Sequence, residues 1–144
     1  MNLVPNGSFE IYSQCPDPAT LDPMPNSVIE LATGWVNPTG YSPDYFHSCV
    51  TITIIHSVPD NWVGSQYART GEAYAGLITM IETDAREYIQ TELIESLVAG
   101  KQYLVTFYVS LAESCLYSSN DIGAYFSNTP VSATHSLVLP YTPQ

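Results

Sequence analysis

The chain predicts an all-β fold, an antiparallel β-sandwich built as one domain over residues 1–144. Three observations predict it. The stretch Gly100–Leu111, GKQYLVTFYVSL, places Tyr103, Val105, Phe107, Val109 and Leu111 at every second position, with Gln102, Thr106, Tyr108 and Ser110 between them and Leu104 as the aliphatic exception. Successive strand side chains point to opposite faces, so this reads as a central strand with one apolar and one mixed face. Several other short β-branched or aromatic runs are separated by Gly, Pro and Asn turn signals, which is the pattern of a sandwich. Finally, 144 residues that are 45% hydrophobic and 12% charged suffice for one domain with a core, and are too few for two ordinary ones.

In chain order, Asn2–Tyr12 combines a Pro-Asn-Gly turn with an alternating Phe9–Ile11 pair. Cys15–Asn26 is crowded with prolines and reads as a long surface loop, because proline lacks the N–H that a regular element needs. Val28–Leu31 is a short strand or turn leading to Gly34-Trp35. Asn37–Ser48 is a second irregular loop, dense in aromatics. Val50–Ile55 is a continuous β-branched run and a predicted strand. His56–Thr70 is a third loop, carrying Trp62, Tyr67 and Arg69. Long loops that keep aromatics either pack over a sheet or belong to a site. Gly71–Ile81 alternates small and large residues as a strand. From Thr83 to Leu97 periodicity leaves two readings and by itself leans slightly to the helix. Asp84 with Glu87 resembles a helix cap, and Ala85, Ile89 and Leu93 are spaced as on a helix; as a strand, Arg86, Tyr88, Gln90 and Glu92 share a face. Ile122–Phe126 and Ala133–Leu139 are further strands.

Fourteen acidic residues against three basic ones give a formal net charge of −11, which excludes nucleic acid as a partner because its binding needs a basic footprint. The same balance disfavours anionic membrane surfaces, and no apolar run approaches the ~18 residues of a membrane helix, so no direct membrane insertion is expected. A neutral glycan or a divalent cation is compatible with it. Few lysines, with many Tyr, Thr and Ser, point to an exported protein, extracellular or in the cell envelope. In that setting the expected disulfide is Cys15–Cys49, with Cys115 left as a buried thiol; the alternative is three reduced thiols. Met1 directly precedes Asn2-Leu3-Val4-Pro5, which already reads as the start of a folded domain. It is therefore expected to stand where a leader was removed.

Several motifs together carry a resemblance. NLVPNGSFE, the pair Gly34-Trp35, GEAYAGL at Gly71–Leu77 and GKQYLVTFYVSL resemble the jelly-roll carbohydrate-binding modules, which have a galactose-binding-like sandwich. A closer likeness covers most of the chain. SFEIYSQCP, NPTGYSPDYFHSC, VPDNWVGSQYARTGEAYAGL, REYIQTEL and IGAYFS resemble the N-terminal domain of some bacterial outer-membrane proteins, which often carry an outer-membrane-protein-A-like, peptidoglycan-associating domain further on. The resemblance implies a jelly roll, and a strand rather than a helix over Arg86–Leu93. Such domains continue past Pro-x-Gln into strands that close the sandwich. The chain is therefore expected to be a fragment of a longer one, or to have an open C-terminal edge through which it forms a homo-oligomer, since an unpaired edge invites another chain.

The modules also imply a structural Ca²⁺ beside the opening Phe-Glu, with Glu10 as the matching carboxylate and Asn6 and Ser8 flanking it; the acid their last strand supplies is missing here. A sugar site needs flat apolar faces for pyranose rings and planar polar groups for hydroxyls. On the sandwich reading, Arg86, Tyr88, Gln90, Tyr108 and Tyr125 gather on the face opposite the core, and the loops add Trp62, Tyr67, Arg69, Tyr41 and Tyr45. The bland reading places Trp35 and Trp62 as core or loop plugs. No nucleophile-elbow pattern appears, His47, His56 and His135 are scattered, and nothing in the sequence sets the separation of Asp44 and Glu87 that a carboxylate pair would need. The expectation is a non-catalytic module binding a carbohydrate. Its rival is a structural or protein-interaction module of the outer envelope that pairs by strand addition.

Overall fold

A computed structural model describes residues 1–21, 23, 25, 27–81, 84–120 and 122–144. Asp22, Met24 and Asn26 of the proline-rich loop, and Thr83 at the start of the ambiguous stretch, lie outside the described residues. The described chain is β-rich and holds no α-helix. One 3₁₀ turn, Val28–Leu31, precedes six short strands: β1 Trp35–Val36, β2 Asp44–His47, β3 Asp60–Asn61, β4 Gly64–Ser65, β5 Ala73–Gly76 and β6 Gln90–Thr91. They form three antiparallel pairs, β1–β6, β2–β5 and β3–β4. Isolated bridges add Tyr12 to Ala32 and Ala85 to Leu137.

The core forms where these pairs meet the 3₁₀ turn. Val28, Ile29, Ala32, Tyr45 and Ala73 are buried together, with Phe9, Leu31, Trp35, Ala75 and Ile89 packed against them. β2 and β5 run in the register Tyr45 to Ala75 and Phe46 to Tyr74. Small residues on β5 face large ones on β2. A Cβ at Gly76 would lie 2.6 Å from the Phe46 ring, so this close approach requires glycine. Phe46 and Tyr74 stack at 5.0 Å.

Several sequence expectations are corrected here. Gly100–Leu111 is not a central strand: among the described residues, no backbone hydrogen bond engages 102–111, and these residues are exposed. None of the three two-stranded ladders takes it in as a third strand. Val50–Ile55 is not a strand either. The Asp17 carboxylate accepts from Ile52 N at 3.3 Å and the Thr53 hydroxyl at 3.4 Å, so side-chain oxygens take bonds that a ladder would have used. Conversely β2 lies inside the stretch read as an irregular loop. Among the described residues 84–97 the chain pairs at Gln90–Thr91 and in the isolated bridge of Ala85 to Leu137, and it forms no helix, as the resemblance implied in its coarser part. Ile122–Phe126 is not in a ladder, and Ala133–Leu139 contributes only the bridge at Leu137.

The disulfide is the expected one. Cys15 and Cys49 are bonded, their Cα atoms 6.0 Å apart, which ties the proline-rich loop to the end of β2. Cys115, expected to be buried, is exposed, because it lies in 113–120, a surface segment whose residues are all exposed.

Candidate functional site

The opening Asn-Gly-x-Phe-Glu motif builds local structure from its own side chains. Asn6 adopts φ +44°, in the left-handed region. Its amide donates to the carbonyls of Ile11 at 2.8 Å and Thr33 at 3.0 Å, and its Oδ1 accepts from Ile11 N at 3.0 Å. The Trp35 indole donates to the Asn6 carbonyl at 3.0 Å and stacks at 4.9 Å on Phe9. Trp35 is thus a core plug, as its bland reading held. Glu10 accepts from the backbone N–H groups of Glu72, at 3.1 Å to each oxygen, and Ala73, at 3.2 Å. The carboxylate clasps the turn that opens β5, and Gly71 there sits at φ +67° with room for no side chain: a Cβ would lie 2.4 Å from the Glu10 carboxyl. Calcium takes six to eight oxygens. Within the expected Asn6, Ser8 and Glu10 set, the Asn6 and Glu10 oxygens already serve the chain, and no cluster of three or more His, Cys, Asp or Glu that could hold a metal occurs among the described residues. The residues as placed fit an ion poorly.

The residues expected on the sheet face, and Tyr41 and Tyr45 expected to join them from the loops, do not form a single site. Tyr45 is 0% exposed and its hydroxyl donates to the Phe9 carbonyl at 2.8 Å; burial pushes its ionisation far up. It is a core residue and not a platform, because β2 turns it inward. Arg86, Tyr88 and Gln90 clasp the chain's own C-terminal segment. Arg86 N donates to Ser136 O, the Tyr88 hydroxyl accepts from Leu139 N at 3.1 Å, and Gln90 Oε1 accepts from Val131 N at 2.8 Å. The Arg86 guanidinium pairs with Asp84 at 2.9 Å. Tyr125 stacks on Tyr141 at 4.6 Å, and the Tyr41 carbonyl is held by the Asn37 amide.

One group does come together. The Arg69 guanidinium lies 3.4 Å over the Tyr108 ring. Around it, the Ser110 hydroxyl donates to Gln66 Oε1 at 2.7 Å, Ser65 N donates to Glu113 Oε2 at 2.6 Å, and Ser114 N donates to Val63 O at 3.1 Å. These bonds fasten the β3–β4 hairpin and its following loop onto 108–114. Tyr108 is 68% exposed, and the same loop carries Trp62 and Tyr67 at 52% and 74%. Trp62 is therefore not a buried plug. Gln66 was missed by sequence reasoning. Its one signal is its position between Trp62 and Arg69, since nothing local announces that Ser110 will reach it.

A second group is buried. His56 places Nε2 at 3.3 Å from Asp44 Oδ1 and Nδ1 at 3.2 Å from Pro16 O. Glu87 accepts from Ile78 N at 2.7 Å and lies close enough to Asp44 to feel its charge; burial first, then Asp44, pushes its carboxyl above the ordinary range. His47, against the Tyr12 ring at 4.5 Å, accepts from Cys49 N at 2.9 Å through Nδ1, and burial lowers its pKa against the pull of Glu10 and Glu72. His56 reaches backbone from a distant part of the chain and Glu87 the backbone of Ile78, whereas His47 binds within its own turn at Cys49.

The architecture therefore defines a disulfide-tied, β-rich chain with one exposed arginine–aromatic cluster. No protein family, no curated protein and no solved structure matches it. Among the described residues no helix is long and apolar enough to cross a membrane.

Proposed function

We propose that this is a non-catalytic, exported module that binds a carbohydrate, and that its site centres on Arg69 and Tyr108, with exposed Trp62 and Tyr67 carried on the loop that holds Arg69, rather than on a sheet face. The observation that carries the reading is the Arg69 guanidinium stacked on exposed Tyr108, with the Gln66 and Ser110 side chains beside it. Sugar recognition combines aromatic surface with planar donors and acceptors, and this cluster supplies both on a loop fastened at several points. The disulfide supports an oxidising compartment, either the cell envelope or the outside of the cell. The jelly-roll arrangement belongs to the same proposal; the β1–β6 and β2–β5 pairs around one core are what speaks for it. Ca²⁺ is not required by it. The test is a glycan array read with wild type, Tyr108→Ala and Arg69→Ala. Binding that both substitutions reduce tenfold or more supports the assignment, and an array silent for the wild type sinks it.

A second reading, the envelope interaction module, is favoured by a different observation: the exposed, alternating 102–111 segment has no ladder partner among the described residues. An edge of this kind is a template for strand addition.

A further inference from the structure

We propose that residues 102–110 form a two-fold interface with a second copy of the chain, two such segments pairing antiparallel about Thr106. This rests on the interaction reading; it shares Tyr108 and Ser110 with the proposed glycan site, so the two proposals are told apart by readout, chain mass and cross-linking against glycan binding.

The first support is physical need. The segment presents Leu104 at 90% exposure and Tyr108 at 68%, with Tyr103, Val105, Phe107 and Leu111 on the other face each about half-exposed. Its backbone N–H and C=O groups make no backbone hydrogen bond among the described residues. Unpaired donors and acceptors beside apolar side chains are what a second strand satisfies.

The second support selects the partner. A two-fold interface requires a patch complementary to itself. Around Thr106 the segment is symmetric in character: Val105 matches Phe107, Leu104 matches Tyr108, Tyr103 matches Val109 and Gln102 matches Ser110. In the antiparallel register that sets Thr106 opposite its own counterpart, every apolar side chain meets an apolar one and every polar side chain a polar one, all on matching faces. An unrelated strand has no reason to share that centre.

Charge agrees. A chain of net charge −11 repels its copies, yet no carboxylate occurs between Glu95 and Glu113. In the same register Lys101 lies diagonally across from Glu113 of the second copy, a spacing long side chains span. The segment is where two copies approach without stacking acid on acid.

The experiment uses the full chain in a Cys115→Ser background, since the exposed Cys115 thiol would cross-link by itself. Light scattering is expected to give twice the 15.8 kDa chain mass as concentration rises. Thr106→Cys is expected to form a disulfide-linked dimer on mild oxidation. Gln102→Cys alone should not, whereas an equal mixture of Gln102→Cys with Ser110→Cys should. Thr106→Pro, which removes one N–H from the edge, should give a monomer with an unchanged melting transition measured at low concentration. A monomer at every concentration overturns the proposal, and so does cross-linking that is equally fast at 102, 104 and 106. A glycan-array failure alone would leave these outcomes unaffected.

Discussion

Tyr45 and Phe107 are both aromatic residues within short extended stretches, and they end in opposite surroundings. Tyr45 lies on β2, is wholly buried, and donates its hydroxyl to a carbonyl that arrives from residue 9. Phe107 lies in the better strand pattern, yet it is half-exposed on a segment with no ladder. Alternation says which side chains can share a face. Whether that face is covered depends on which distant backbone arrives, and here the arrivals serve the first region. A disulfide, the Glu10 carboxylate, Asn6, His56 and Glu87 all bring far parts of the chain to the strands around β2 and β5. Among the described residues, the side chains that reach 102–111 from afar come from the loop at Gln66 and Arg69.

The largest expected effect breaks the tied region. Replacing both Cys15 and Cys49 by alanine frees a loop of 34 residues and should cost ~4 kcal/mol in denaturant unfolding on the chain-entropy argument. Next, Ile29→Ala empties a fully buried site and should cost about 3 kcal/mol. Glu10→Gln weakens the clasp on the Glu72 and Ala73 amides and should cost about 2 kcal/mol, read as a lowered denaturation midpoint. A rise in the wild-type melting temperature with Ca²⁺ that Glu10→Gln abolishes would instead make this an ion site.

Titration sharpens the same contrast. The folded His47 has a lowered pKa, so the native state favours the neutral ring. Its contribution is complete above the ordinary imidazole value and is lost as pH falls below it. The bond from Cys49 N needs an unprotonated Nδ1, so His47→Asn, which keeps an acceptor there, should flatten that acid slope. Glu87 has the opposite sign. Its folded pKa is raised, so stability declines as pH rises from the ordinary carboxylate value through the raised one, and Glu87→Gln should remove that decline. Thermal melts across pH, with both variants, read the two slopes separately. Least of all, Val109→Ala in protein too dilute to associate should change stability by under about 0.5 kcal/mol, as exposed substitutions do.

Parts of this arrangement were legible in the sequence. Small-large alternation at Gly71–Ile81 marked β5, and the pairing of Cys15 with Cys49 followed from an exported composition. The aromatic loop 37–48 was not legible as β2: its Pro, Gly and Asp punctuate a short strand whose ladder depends on Ala73–Gly76, a non-local partner. The same cause misled at Val50–Ile55, where β propensity is high and the backbone is claimed by Asp17. In the candidate site, the loop aromatics and Arg69 were identifiable by type, but the meeting of Arg69 with Tyr108 was not, because about forty residues separate the two. Tyr88 and Gln90 carried the right chemistry for a sugar and were spent on holding residues 131–139.

The measurement that tests the comparison most directly is amide hydrogen exchange followed over a dilution series. The account predicts strong, concentration-independent protection at Tyr45, Phe46 and their β5 partners, together with amides at 102–111 that exchange freely when dilute and become protected as copies associate. Protection of 102–111 that persists at every dilution would contradict it, since that segment would then be paired within its own chain.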